Sequence, residues 1–285
     1  MTGGPGKTIM NMYIHIMRGE NMAYKLIAID IDGTLVTDER KLPKRNIEAM
    51  QAAINAGAEV MIATGRPYRA VARIMELAGI EGLILSAGGA LISRYPGGET
   101  LYEALLAPDV VFDMADCCRK NGWFWFSFSR MDYYYEKVCE TSRVTENYIG
   151  FPGIILDYGS DHGLAFNKGT VMIDPKIIKS AADALHDRIG GRAEVQIADK
   201  NVIDITPKGI VKGVSLLSVA GLRGLDAKQV IAIGDTDSDV SMIKAAGLGV
   251  CMANGTVGAK AAADYIAPSN NDCGVADVIE KFVLC

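Results

Sequence analysis

No stretch of the 285 residues approaches the run of about 20 apolar residues that a membrane-spanning helix needs, so the chain reads as not integral to a membrane. A basic excess is also missing. Lys and Arg number 29 against 34 Asp and Glu, a net charge of −5, which speaks against a dedicated nucleic-acid binder. Histidine is scarce: His15, His162 and His186 are scattered and show no zinc-type spacing with cysteine or with each other. The 6 cysteines include no C-x-x-C pair and are read as reduced thiols of a cytoplasmic protein. Proline is modest at 9, and the 31 glycines follow no collagen-like period. What remains is an ordinary globular composition, 49% hydrophobic and 22% charged, long enough for about two domains at roughly 150 residues each.

The first residues stand apart. Met1 to Glu20 lack the apolar core of a secretory signal and the pattern of a transit peptide. Gly6-Lys7-Thr8 ends like a phosphate-binding loop, but Met1 stands where that motif requires its first glycine. Residues 1–21 are therefore expected to be a poorly ordered N-terminal extension, with structure beginning near Met22.

From Tyr24 onward, short apolar runs recur with helical segments between them. Leu26–Ile29 precedes Asp30, Val60–Ala63 precedes Thr64, and Leu83–Leu85 precedes Ser86; later Val230–Ile233 precedes Gly234-Asp235, and Val250–Met252 precedes Ala253-Asn254. Runs of about four apolar residues suit parallel strands buried on both faces. Lys44 to Asn55, Pro67 to Leu77, Val211 to Ala220 and Ser238 to Ala246 read as helices, each stopped by a glycine. This alternation predicts an α/β fold, a doubly wound, Rossmann-like parallel sheet, with ligands beyond the carboxyl ends of the strands.

The middle of the chain differs. Asp109 to Asn121 and Ile177 to Ile189 look helical, Trp123–Ser129 and Tyr133–Tyr135 look like an aromatic hairpin, and Gly169–Ile173 and Glu194–Ile205 look like strands. An inserted α+β domain over 108–200 is expected, splitting the larger domain into 22–107 and 201–285. Trp123, Trp125, Tyr133 and Tyr135 are read as the insert's own core, and Cys117-Cys118 as packing residues.

The chemistry concentrates at the strand ends. In Asp30-Ile31-Asp32-Gly33-Thr34 the two carboxylates lie two residues apart after a strand and leave it together. A second cluster, Gly234-Asp235-Thr236-Asp237-Ser238-Asp239, follows another strand. Two acidic clusters at one sheet edge need a cation, and oxygen-only ligands indicate a hard ion, Mg²⁺ before Ca²⁺. An EF-hand is excluded, since Val240 stands where its glycine is needed and Ala246 where its bidentate glutamate belongs.

These residues resemble four motifs of the haloacid dehalogenase superfamily, and more narrowly its Cof-type phosphatases. The motifs are Asp30-x-Asp32-Gly33-Thr34, Ala63-Thr64-Gly65-Arg66-Pro67, Lys208-Gly209-Ile210-Val211-Lys212-Gly213 and Gly234-Asp235-x-x-Ser238-Asp239, with a tail of Val250–Gly255, Ala262–Tyr265 and Asn270–Ala276. The resemblance implies that Asp30 is the nucleophile, Asp32 the general acid and base, Thr64 a phosphate ligand and Lys212 a charge partner for the phosphoryl group and Asp30. It further implies that Gly65, Arg66, Gly89 and Asn254 lie at the phosphate, and that Asp30, the Asp32 carbonyl, Asp235 and Asp239 hold Mg²⁺. The expected activity is hydrolysis of a small phosphorylated metabolite, sugar phosphates first and pyridoxal phosphate or flavin mononucleotide as alternatives. A phosphomutase and a non-catalytic Mg²⁺/phosphometabolite sensor are the competing readings; the oligomeric state is unreadable.

Two positions depart from the family pattern: Gly88 and Ser238 stand where Asn is usual. Arg66 suits either a substrate contact or a surface ion pair, and Lys208 is read as a solvated loop residue while Lys212 serves the site.

Overall fold

Apolar runs without a polar face are stable only between two covering layers. The computed structural model, which describes residues 24–159 and 163–285, places them so. The expectations for residues 1–21, Met22 and His162 lie outside the described residues. The strands of the larger sheet are β1 (Leu26–Ile29), β2 (Glu59–Ala63), β3 (Gly82–Ser86), β4 (Leu91–Tyr95) and β5 (Thr100–Glu103), joined by β12 (Val230–Gly234), β13 (Leu248–Met252) and β14 (Tyr265–Ala267). Their order is β14-β13-β12-β1-β2-β3-β4-β5. All pairs from β14 to β3 are parallel, and β4 and β5 add an antiparallel edge.

Strand alternation divides the core in two. Ile27, Ile29, Val60, Ile62, Ile84, Ile231 and Ile233 join one buried cluster with helices α1 (Lys44–Ala56), α2 (Tyr68–Ala78) and α9 (Gly274–Phe282). Leu26, Ala28, Met61, Ala63, Leu83, Leu85, Val230 and Ala232 join the other, with α6 (Lys212–Leu222) and α7 (Val240–Ala245). Because β1 is followed by β2 on one side and flanked by β12 on the other, the sheet reverses its winding between β1 and β12. A crevice opens there at the carboxyl ends.

The inserted region forms a second sheet, ordered β10-β11-β9-β6-β7-β8. Its strands are β6 (Phe124–Ser129), β7 (Asp132–Tyr135), β8 (Ile154–Ile155), β9 (Lys168–Met172), β10 (Ala193–Asp199) and β11 (Val202–Pro207). Helices α3 (Pro108–Asn121) and α5 (Ile178–Ile189) bury Val110, Met114, Cys118, Ala181 and Leu185 against Trp125, Val171, Ile203 and Ile205 on one face. On the other face Phe126, Phe128, Tyr133 and Tyr135 cluster with Ile149 of α4 (Glu140–Ile149) and with Ala70 of α2. The aromatic residues thus serve two layers rather than one core, with Trp123 only partly buried.

The expected boundary between residues 200 and 201 is corrected. It falls in the turn of the β10–β11 hairpin, and β11 pairs antiparallel with both β9 and β10. The insert's sheet therefore runs to Pro207. The alternation of Asp204 and Thr206 with Ile203 and Ile205 is that of an antiparallel strand with one polar face, not of a buried parallel one. Helix α4 and strand β8 are additional elements that the sequence pattern did not announce.

Candidate active site

Asp30 leaves the end of β1 with its amide donating to the carbonyl of Ile233 on β12, at 3.0 Å. The chain then turns tightly, the amides of Leu35 and Val36 returning to the Ile31 carbonyl at 3.0 and 3.1 Å while Ile31 and Leu35 fill the core. Gly33 makes this turn possible. Its φ is +76°, and a Cβ there would lie 2.3 Å from Oδ2 of Asp235. The next residue fastens the two loops together: Thr34 Oγ1 donates to Asp235 Oδ1 at 2.9 Å.

Lys212 opens α6 and is buried beneath the same crevice. Its Nζ donates to Asp30 Oδ1 at 2.7 Å and to Asp239 Oδ1 at 2.6 Å. The other oxygen of Asp239 accepts the amides of Asp235 and Thr236, both at 3.0 Å. Asp239 is thereby held on both sides. Among the described residues, the second oxygens of Asp30 and Asp235 receive no hydrogen bond.

Asp30, Asp235 and Asp239 each place a carboxylate oxygen within 4.8 Å of the others. Burial pushes the Asp30 pKa well above the ordinary carboxylate range; Lys212 opposes this, and Asp239, Asp235 and Asp32 add to it. Burial and then Asp239 push Asp235 up to about 7, against the lowering effects of Thr34 and Lys212. Burial acts to lower the Lys212 pKa, yet Asp239 and Asp30 outweigh it and hold the ammonium above its ordinary value. One cation among three buried carboxylates leaves the site short of positive charge. An all-oxygen donor set with that deficit fits a hard divalent ion.

Asp32 points elsewhere. Arg66, at the start of the segment leading into α2, holds it with both arms of its guanidinium: Nε to Oδ2 at 2.8 Å and Nη2 to Oδ1 at 2.5 Å. Arg66 therefore makes an ion pair, though with a carboxylate of the site and largely out of solvent rather than at the surface. Tyr148, from α4 of the insert, lies with its ring 4.8 Å from the Arg66 guanidinium carbon and 4.7 Å from that of Arg40. A residue of the insert thus closes over the acid–arginine pair from outside the motifs.

The remaining expected positions divide. Thr64 is buried, and its Oγ1 accepts the amide of Arg66 at 3.2 Å. Gly65 lines the crevice and its carbonyl accepts Lys168 Nζ of the insert at 3.1 Å. Gly89 is turned onto α6 instead, its carbonyl accepting Ser215 Oγ at 2.8 Å, and Gly88, with φ +68°, lines the crevice in its place. Asn254 is a fastener between loops: its Nδ2 donates to the Gly33 carbonyl at 2.7 Å and its Oδ1 accepts the amide of Asn270 at 3.0 Å. Ser238 lines the crevice and shares a hydrogen bond of 2.7 Å with Thr236 Oγ1. Lys208 lies off the site and donates to the Gly190 carbonyl at 2.9 Å.

Sequence reasoning missed Thr34, Tyr148, Lys168 and Asp204. Thr34 sits inside the first motif, so its place was available there. The other three belong to the insert, and their position over the site follows only from how the two sheets meet. The crevice is small, about 30 Å³, lined by Gly65, Gly88, Gln196, Asp204, Thr206, Ile210, Lys212 and Ser238. A larger cavity of about 670 Å³ lies in the insert beside Trp123, Glu136 and Lys137 and contains none of the motif residues.

The comparisons agree with this geometry. Residues 27–279 match the family model described as haloacid dehalogenase-like hydrolase. A 5-amino-6-(5-phospho-D-ribitylamino)uracil phosphatase of Bacillus subtilis is 32% identical over 268 residues, spanning 93% of this chain and 98% of that one. A solved haloacid dehalogenase-like hydrolase from Bacteroides thetaiotaomicron superposes with a TM-score of 0.82 at 30% identity, covering 90% of this chain and 99% of that chain. A subclass IIB sugar phosphatase shares the fold, with a TM-score of 0.81 at 24% identity over 92% of this chain and 100% of its own. The chain belongs to the haloacid dehalogenase-like hydrolases, as an enzyme of their phosphatase branch.

Proposed function

We propose that the protein hydrolyses small phosphate monoesters, sugar phosphates foremost, in a Mg²⁺-dependent reaction through a phosphorylated Asp30. The observation that carries this reading is the buried set Asp30, Lys212, Asp239 and Asp235 next to Asp32, at the switch point of the sheet. The sugar-phosphate and ribityl-phosphate activities named for its relatives support the choice of substrate.

Asp30, the Asp32 carbonyl and Asp235 would hold the metal, with Asp239 supporting from behind because both its oxygens are already engaged. When bound, Mg²⁺ would offset the negative charge of the carboxylates and of the phosphoryl oxygens. Asp30 then attacks phosphorus while the ester P–O bond breaks, and Asp32 gives its proton to the departing alkoxide. In the second half Asp32 takes a proton from water, water attacks phosphorus, and the bond to Asp30 breaks with release of phosphate. Lys212 holds Asp30 in line, and Thr64 donates to a phosphoryl oxygen.

Asp32 cannot transfer a proton freely while Arg66 grips both its oxygens. The phosphoryl dianion is the competing partner for that guanidinium, and Arg66 turning to it frees Asp32. The space between Lys212 and the insert, about 30 Å³, is narrow for a metabolite, which supports an insert that lifts to admit substrate and closes again to exclude water. Absence of a membrane-spanning helix among the described residues and 6 free cysteines support a cytoplasmic site of action.

The test is phosphate release from p-nitrophenyl phosphate and a panel of sugar phosphates, with Mg²⁺ and with EDTA, for the wild type and Asp30→Asn. Turnover that needs Mg²⁺ and vanishes in the variant is expected. Full activity in Asp30→Asn would refute the nucleophile, and binding without release of free phosphate would favour a sensor.

A further inference from the structure

One face of the insert's sheet is polar where it meets the catalytic crevice. Asp204 of β11 pairs across the strands with Thr170 of β9 on one side and Gln196 of β10 on the other. Asp204, Gln196 and Thr206, two residues along β11 from Asp204, all line the crevice with Lys212 at its floor. In such a row the side chains stand on the same face of the sheet.

The Asp204 carboxylate is built into place. Lys168 Nζ lies 2.6 Å from Oδ2, and Thr170 Oγ1 donates to Oδ1 at 2.9 Å. Lys168 is buried and takes no part in lining the crevice: its ammonium also reaches the Gly65 carbonyl at 3.1 Å and lies over the Phe128 ring. Its charge therefore neutralises Asp204 from behind and ties this strand to the phosphate loop. A carboxylate accepts about four hydrogen bonds, and two are supplied by the protein. Asp204 lines the crevice with its side chain 16% exposed, so capacity remains for a ligand there.

A carboxylate would repel the phosphoryl group, so it suits the opposite end of the ester. It needs donors from the substrate; beside it the Thr206 hydroxyl, whose proton goes to the Ile210 carbonyl at 2.8 Å, can accept, and Gln196, whose Nε2 donates to the Asp237 carbonyl at 3.4 Å, keeps a second N–H and its amide oxygen. Among the described residues no aromatic side chain lines this crevice, and the Tyr148 ring is engaged with Arg66 and Arg40. We propose that Asp204, held by Lys168 and Thr170, is the specificity-determining residue of a hydroxyl-binding subsite that selects polyhydroxylated leaving groups, sugars and alditols, over flat heteroaromatic or anionic ones. This rests on the phosphatase reading above. Lys168 and Thr170 are positioning residues for it.

The experiment compares kcat/KM for D-sorbitol 6-phosphate and for n-hexyl phosphate, a chain of equal length without hydroxyls, in Mg²⁺. The ratio within one preparation is independent of how much of it is folded. For the wild type the ratio is expected to exceed 10. In Asp204→Asn it should fall about 10- to 100-fold, the range for losing hydrogen bonds to a charged group, with the change carried mainly by KM for the polyol. Thr170→Val, which keeps the carboxylate but frees one oxygen, should lower the ratio less. A wild-type ratio near 1, or one that Asp204→Asn leaves unchanged, overturns the subsite while the phosphatase reading stands. Hydrolysis of neither ester by the wild type overturns the phosphatase reading, and the subsite with it.

Discussion

Replacing Lys212 by Met tests whether the catalytic crevice is held together by charge. The ammonium makes two hydrogen bonds to buried carboxylates, at 2.7 and 2.6 Å, and Met fills much of the same volume. Removing one partner of a buried ion pair costs about 3–5 kcal/mol when the other partners stay charged. At roughly 2–3 °C per kcal/mol for a chain of this size, the melting temperature should drop by about 6–15 °C at pH 8 in EDTA. The sign of the pH dependence follows from the carboxylates. Burial and mutual repulsion raise Asp30 and Asp235 above their unfolded value, Asp235 to about 7, and Lys212 is among the influences that lower both. Without it they rise further, so the folded variant binds more protons than the unfolded chain between about pH 4 and above pH 7. Its stability is fully present below that window and is lost as pH rises through it. At pH 5 the deficit should therefore shrink toward about 1–2 kcal/mol, the worth of the hydrogen bonds alone. Mg²⁺ at pH 8 should restore part of the loss. The measurement is thermal unfolding at pH 5 and pH 8, with EDTA and with Mg²⁺. A deficit equal at the two pH values, or larger at pH 5, would refute the argument.

Two further substitutions probe how the loops and the insert shape the site. Gly33→Ala forces a Cβ to within 2.3 Å of Asp235 Oδ2 at a φ of +76°, so Asp235 must move; kcat should fall at least about 100-fold, and a near-normal rate would show that Asp235 placement is not critical. Tyr148→Ala removes the ring that covers Arg66 and Arg40, contacts worth about 0.5–1 kcal/mol each; KM should rise roughly 5- to 30-fold, while Tyr148→Phe, which keeps the ring, stays close to wild type. Equal KM values for the two variants would exclude a role for the ring.

The local strand signals were legible because they are local. Leu26–Ile29 and Val230–Ile233 are apolar on both faces, a pattern that suits a parallel strand covered on both sides, and their recurrence between helical segments marks them as such. The β4–β5 hairpin and β14 were not legible, since edge strands carry mixed polar residues and owe their form to the neighbour they pair with. The insert's end was misplaced for the same reason. Val202 to Pro207 could continue the larger sheet by composition, and only its pairing with β9 and β10 assigns it.

The sequence by itself determined that Asp30 and Asp235 each follow an apolar strand and so stand at the carboxyl edge of a sheet, and Gly33 permits the turn that brings Thr34 to Asp235. That β1 and β12 are neighbours, which brings the two carboxylates together, was decided by the tertiary structure. Tertiary structure alone decided what each of them faces. Arg66 is turned onto Asp32, Gly88 replaces Gly89 at the crevice, and Asn254 fastens loops. Lys168, Asp204 and Tyr148 reach the site from a sheet whose docking no local pattern records. The physical reason is that backbone periodicity sets the direction of a side chain on its own element, whereas its partner depends on how elements distant in sequence pack together.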